Sequence, residues 1–270
     1  MCLADFLRYF DSLSVCYHYT PRATAWHELR FQSQFVLSKG GAQTATPAFG
    51  SSFYHFTLSS DATVFLSIHQ ADTRVAGTAP YIDIGALIYC EEEKKVVCDT
   101  QFVLERSVSQ SVVLPPGQYV VIPYTSGAKM LAMKSCQRPF ALAIHSDVAM
   151  EVRALPVDPP LLHAALLDIG RSTANEKSFN DVVSVYSHWS GPVLTYAVHV
   201  ATNTTSTSPD KRNFEITLDC GKSENAISSV GNLKATHVLS SGELAVFHRL
   251  CPADDSKGYT FKYGIAWRSL

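Results

Sequence analysis

Thiols and imidazoles are the side chains with the most chemical potential in this sequence. Seven cysteines (Cys2, Cys16, Cys90, Cys98, Cys136, Cys220 and Cys251) accompany ten histidines. A cysteine nucleophile needs a base within reach and a group to orient that base. Cys16 and His18 lie two apart on one expected strand and so share a face. No glycine-rich oxyanion turn or helix N-terminus sits beside Cys16 to lower its pKa, so it reads as a structural thiol. Cys90, Cys98, Cys136, Cys220 and Cys251 fall in or beside strand patterns and read as small core residues. His55, His69, His145, His199 and His248 fall in strand patterns too, where a hydrogen-bonded sheet histidine is the default. The cysteine count is odd and no C-x-x-C pair occurs, which predicts reduced thiols and no zinc site. No G-x-S-x-G, Walker loop or H-E-x-x-H is present.

Charged clusters offer little more. Glu91-Glu92-Glu93 has the carboxylates of half a calcium loop, but Lys94-Lys95 follows at once and offsets them. A solvated hairpin tip is expected there, and Asp254-Asp255 before Ser256-Lys257-Gly258 reads as a similar turn. Arg30, Arg74 and Arg106 are candidates for interdomain ion pairs. The residues themselves therefore predict no catalytic centre, no cofactor and no metal site.

The elements that would position these groups are mostly strands. Short alternating runs separated by Gly, Pro and Ser turns extend from Trp26 to Arg153, including Phe53–Leu58, Thr63–His69, Ile82–Tyr89, Gln118–Pro123 and Phe140–His145. Leu155-Pro156-Val157-Asp158-Pro159-Pro160 reads as a linker into a short helix, with Asp158 as N-cap and Leu161, Leu162, Ala165, Leu166 and Ile169 as its apolar stripe. Two roles suit it: packing between domains, or binding a partner through Leu162 and Leu166. Strands resume with Val182–Tyr186 and Leu194–Val200 and end with Tyr259–Ile265. The predicted fold is all-β, two antiparallel β-sandwich domains with short helices at the N-terminus and in the linker. The expected division is 1–19, 20–154 (first sandwich), 155–180 (linker with helix) and 181–270 (second, smaller sandwich).

Apolar residues make up 46% of the chain, enough to build cores of this kind. Twenty-two basic and 24 acidic residues leave no basic field for nucleic acid. No apolar run is long enough to span a membrane. The N-terminus lacks the basic start and apolar stretch of a signal peptide, so Asn203-Thr204-Thr205 is not expected to be glycosylated. A cytoplasmic protein is expected.

The N-terminal run Met1-x-x-x-Asp5-Phe6-Leu7-x-Tyr9-Phe10-Asp11-Ser12-x-x-Val15-Cys16 resembles the end of a calpain protease core. Trp26-His27-Glu28-Leu29-Arg30 is similar to the start of the calpain-type β-sandwich that follows such a core. Phe65-Leu66-Ser67-Ile68-His69-Gln70-x-Asp72-x-Arg74, Tyr81-Ile82-Asp83-Ile84-Gly85 and Pro116–Pro123 resemble the small-optic-lobes branch of calpains, as does the segment from Asp219-Cys220 to Leu233. Calpains cleave proteins with a Cys-His-Asn triad, the cysteine lying in a G-D-C-W motif and the asparagine in N-P-W-G. Neither motif occurs here, so no catalytic residue is carried over.

The resemblance implies a non-catalytic, C-terminal regulatory and structural region of an intracellular cysteine endopeptidase. In the family the sandwich packs on the protease core, so residues 1–19 are expected to be the remnant of that core and the chain a fragment. Phe6, Leu7 and Phe10 are then the candidate docking residues for the core in cis. No calcium-binding hand loop is present, so any calcium would bind in the core. The alternative is a stand-alone protein-interaction module that has lost its protease.

Overall fold

The computed structural model describes residues 26–37, 48–74, 80–158, 161, 164–165, 168–169, 175–179, 182–201 and 212–270. Phe6, Leu7, Phe10, Cys16 and His18 lie outside them, as do Leu162 and Leu166.

The chain is built almost wholly from antiparallel strands, as the alternating runs require. The first unit contains β1 (His27–Val36), β2 (Ala48–Gly50), β3 (Ser52–Leu58), β4 (Ala62–Gln70), β5 (Gly85–Cys90) and β6 (Lys95–Asp99). It continues with β7 (Ser107–Leu114), β8 (Gly117–Thr125), the short helix α1 (Ala128–Ala132), β9 (Gln137–Ser146) and β10 (Val152–Pro156). One layer runs β10-β3-β8-β5-β6 and the other β1-β9-β4-β7, with β2 turning the corner by pairing with both β1 and β8. Between the layers lies a core drawn from both, including Phe56, Leu66, Ile88, Val121, Leu142 and Ile144. This is a β-sandwich.

The second unit contains β11 (Asn175–Phe179), β12 (Val183–Ser190), β13 (Val193–Val200), β14 (Asn213–Asp219) and β15 (Ala226–Ser228). Strands β16 (Lys234–Ser240), β17 (Leu244–Pro252) and β18 (Gly264–Ser269) complete it. A five-stranded sheet, β11-β12-β13-β17-β15, faces a three-stranded one, β16-β14-β18. Val185, Tyr196, Val198, Ile216, Leu218 and Phe247 fill the space between them. The all-β, two-sandwich expectation is therefore met. No helix among the described residues is long and apolar enough to cross a membrane.

Some expected elements shift, for identifiable reasons. The run Ile82–Tyr89 begins its ladder only at Gly85. Gln70, buried at the end of β4, takes the place of a neighbouring strand: its amide donates to the Ile82 carbonyl at 2.8 Å and accepts the Ile82 N–H at 3.1 Å. In the run Tyr259–Ile265, Thr260 makes a single bridge to Glu224, and β18 starts at Gly264. The segment read as a linker, 155–180, starts inside β10, where Leu155 pairs with Phe53, and takes in the whole of β11. Between them Leu161, Ala164, Ala165, Asp168 and Ile169 are helical, and Asp158 Oδ1 accepts the Leu161 N–H at 3.4 Å, as an N-cap does.

Candidate functional site at the junction of the two sandwiches

The five described cysteines are free, and all but Cys136 are buried. Burial pushes the Cys98 thiol up to about 11 and Cys220 up to about 12, and raises Cys251 as well. A nucleophilic thiol needs the opposite shift. Two of the histidines have sheet roles: buried His248 bonds Ser228 Oγ at 2.9 Å and the Leu218 carbonyl at 3.3 Å, and His69 bonds Ser67 Oγ at 3.1 Å. Among the described residues no three His, Cys, Asp or Glu side chains come together as metal ligands.

The charged clusters fall where turns need them. Glu91–Lys94 forms the β5–β6 turn, with Lys94 at φ 52° and Glu93 paired to Lys95 at 2.6 Å. Arg74 and Arg106 both pair with Asp72, at 2.6 Å and 3.3 Å, and Arg30 pairs with Glu28. These three arginines therefore bond within the first sandwich. An ion pair that does cross between the sandwiches joins Lys129 to Asp255, at 2.8 Å.

The most heavily built polar region lies between the sandwiches. Side chains alternate across a strand, so an antiparallel sheet with one wet face shows alternating burial. Strand β5 is instead buried at all six positions, and β8 at every position except Gln118. Ile88 and Val121 face the sandwich core, whereas Leu87, Tyr89, Val120, Ile122 and Tyr124 face outward. That outer face meets Ala165 and Ile169 of the connecting helix and Val193 and Cys251 of the second sandwich. The two modules thus share a third core.

Polar contacts rim this core. Asp168 Oδ2 accepts the Val96 N–H at 2.7 Å, tying the connecting helix to β6. Ser190 Oγ, at the end of β12, accepts the Phe102 N–H at 3.1 Å. The Tyr124 hydroxyl donates to Asp99 Oδ1 at 2.7 Å, and its ring meets Phe102 edge-on at 4.4 Å. Gly191 adopts φ +53°, and a Cβ placed there would lie 1.9 Å from the Phe102 carbonyl oxygen. The β12–β13 turn can approach the first sandwich this closely because residue 191 has no side chain.

Two buried charges sit within this framework. Asp83 Oδ2 accepts the Ser126 N–H at 2.6 Å and the Thr125 hydroxyl at 3.3 Å. Its Oδ1 has no hydrogen-bond partner among the described residues, and burial raises its pKa to about 6. Arg249 of β17 is fully buried, which lowers its pKa to about 10; the nearby Tyr124 and Asp83 act in the opposite direction. Arg249, Phe102, Tyr124, Ile169 and His188 line a cavity of about 30 Å³. That is room for a water or two, not for a substrate.

Reading the sequence for catalytic motifs passed over Asp83, Tyr124, Ser190, Gly191 and Arg249, because none belongs to such a motif. One signal was present: Ala86-Leu87-Ile88-Tyr89-Cys90 and Tyr119-Val120-Val121-Ile122 are unbroken apolar runs, the mark of strands buried on both faces.

No curated protein sequence matches the chain. Residues 32–133, from β1 to α1, match the family described as calpain large subunit, domain III, so this part of the chain is similar to that domain.

Proposed function

We propose that the chain is the non-catalytic regulatory and structural region of an intracellular, calpain-like cysteine endopeptidase, which packs on the protease core in cis and positions it. The observation that carries this reading is the domain III match over residues 32–133. The junction supports it: a common apolar core joins the two sandwiches, as a module that sets the position of a neighbour requires. The raised pKa values of Cys98, Cys220 and Cys251 fit the reading of these thiols as structural core residues.

The finer parts of the proposal follow from the sequence. The chain belongs with the small-optic-lobes branch, Phe6, Leu7 and Phe10 dock on the core, and the protein is cytoplasmic. An antibody raised to the second sandwich tests the in-cis reading on endogenous material. A band far above the 29.6 kDa of this chain is expected. A single band at that mass, or thiol-dependent proteolysis by the 270 residues alone, would overturn it.

The second reading, a stand-alone interaction module, is favoured by one observation. Trp189 is 48% exposed, stacks on Phe261 at 5.4 Å between centroids, and has Tyr259 at 6.3 Å. Exposed aromatic clusters of this kind are common at protein interfaces. Under this reading the short product is the form found in cells.

A further inference from the structure

Strand β7 ends the β1-β9-β4-β7 layer. It pairs with β4 from Ala62↔Leu114 to His69↔Ser107 and with no other described strand. Just before the strand, the Gln70 N–H donates to the Arg106 carbonyl at 2.7 Å. Backbone groups alternate sides along an antiparallel strand. Val108, Gln110 and Val112 therefore direct their N–H and C=O groups to β4, while Ser107, Ser109, Ser111 and Val113 direct theirs to the open edge.

Open edges invite pairing and are normally blunted by charge, proline or brevity. The other edges among the described strands follow that rule. β1, β6, β11, β16 and β18 each carry at least one Lys, Arg, Glu or Asp, β10 carries Arg153 and Pro156, and β15 has three residues. β7, Ser-Val-Ser-Gln-Ser-Val-Val-Leu, has eight residues with no charge and no proline, and its Val113 is 69% exposed.

We propose that this edge is a homotypic interface, in which β7 of one copy pairs antiparallel with β7 of a second copy about a twofold axis at Gln110. The geometry selects that register. Outward-directed backbone groups must meet outward-directed groups. Centring on Gln110 opposes Ser107 to Val113 and Ser109 to Ser111 of the second copy. Each such pair exchanges two N–H···O=C bonds, about eight across the interface. Sliding the strands one repeat toward their C-termini opposes Ser107 to Pro115, which has no N–H to give. Sliding them the other way opposes Val113 to Glu105, outside the strand. In the Gln110 register Val108 meets Val112 on the core face, Ser109 meets Ser111 and Ser107 meets Val113 on the outer face, and the two Gln110 amides meet each other. No like charges oppose. This self-complementarity favours a second copy over a foreign strand as the occupant.

The test is the mass of the full chain by sedimentation equilibrium between about 1 and 200 μM, the range in which a small interface shows itself. The wild-type protein is expected to pass from monomer to dimer. The pair S109K/S111K places lysine opposite lysine twice, and should weaken the dimer by at least about tenfold. S109K/S111E places lysine opposite glutamate at the same two positions, and should restore it. All these positions are exposed, and equal thermal melts at low concentration confirm that both variants fold. A wild-type chain that stays monomeric throughout overturns the proposal. So does a dimer that S109K/S111K leaves intact, or one that S109K/S111E loses equally.

Discussion

Replacing Gly191 with alanine tests whether the two sandwiches are held together where the geometry places the contact. Alanine at φ +53° costs about 1 kcal/mol for the left-handed backbone alone. The new Cβ would also lie 1.9 Å from the Phe102 carbonyl oxygen. The obstacle is backbone, so no rotamer change relieves it, and the β12–β13 turn must withdraw. Withdrawal breaks the 3.1 Å bond from the buried Phe102 N–H to Ser190 Oγ. Leaving that donor unpaired adds about 1–3 kcal/mol. The total is about 2–4 kcal/mol, a large fraction of the 5–15 kcal/mol typical of a folded protein. Gly231→Ala supplies the control. Gly231 has φ +74° and also faces the other sandwich, but its Cβ would meet only the Leu131 side chain, Cδ2 at 2.9 Å and Cγ at 3.8 Å, a partly exposed group whose tip can swing aside. Its cost should stay near 1 kcal/mol. Both values come from urea unfolding followed by circular dichroism. A Gly191→Ala cost no larger than that of Gly231→Ala would refute the close contact at the junction.

Three further outcomes follow from the same junction and from the thiols. Asp83 has a folded pKa of about 6 against an unfolded value of 3.8, so the folded state keeps its proton to higher pH. The stability this contributes is full below pH 3.8 and lost as pH rises through 6, about 3 kcal/mol in all. Asp83→Asn keeps an acceptor for the Ser126 N–H, so its stability relative to wild type should rise by most of that amount, about 2 kcal/mol, between pH 4 and 7, as read from urea midpoints; a constant difference would contradict the assignment. Leu87→Ala empties part of the shared core and should cost about 2–5 kcal/mol, whereas Val113→Ala, on an exposed position, should cost under about 0.5 kcal/mol. Among the described cysteines, Cys136 should react with iodoacetamide in the native protein, while Cys90, Cys98, Cys220 and Cys251 should react only after denaturation; peptide mass spectrometry locates the label.

The strands were legible because each alternates or is wholly apolar over a run that ends at a turn residue. Phe53–Leu58 and Gln118–Pro123 lie inside β3 and β8 with little change. β16 carries the same alternation, buried at Ala235, His237 and Leu239, but lysine and histidine within it mask the pattern. The departure at Ile82 was not legible, because it depends on a side chain twelve residues earlier standing in for a strand. The junction was half legible. The continuous apolar runs in β5 and β8 report two buried faces, but nothing local says what covers the second. Arg249 could not be placed in the interior from sequence, since arginine is seldom fully buried. Lys129 and Asp255 form an interdomain ion pair while Arg30, Arg74 and Arg106 pair with carboxylates of their own sandwich, because tertiary proximity and not residue type decides it.

That the two sandwiches behave as one arm is tested most directly by differential scanning calorimetry of the intact chain. A shared core predicts a single transition, with a calorimetric enthalpy about equal to the van't Hoff enthalpy. Two resolved transitions, or a calorimetric enthalpy about twice the van't Hoff value, would mean that the modules unfold independently and that the junction does not couple them.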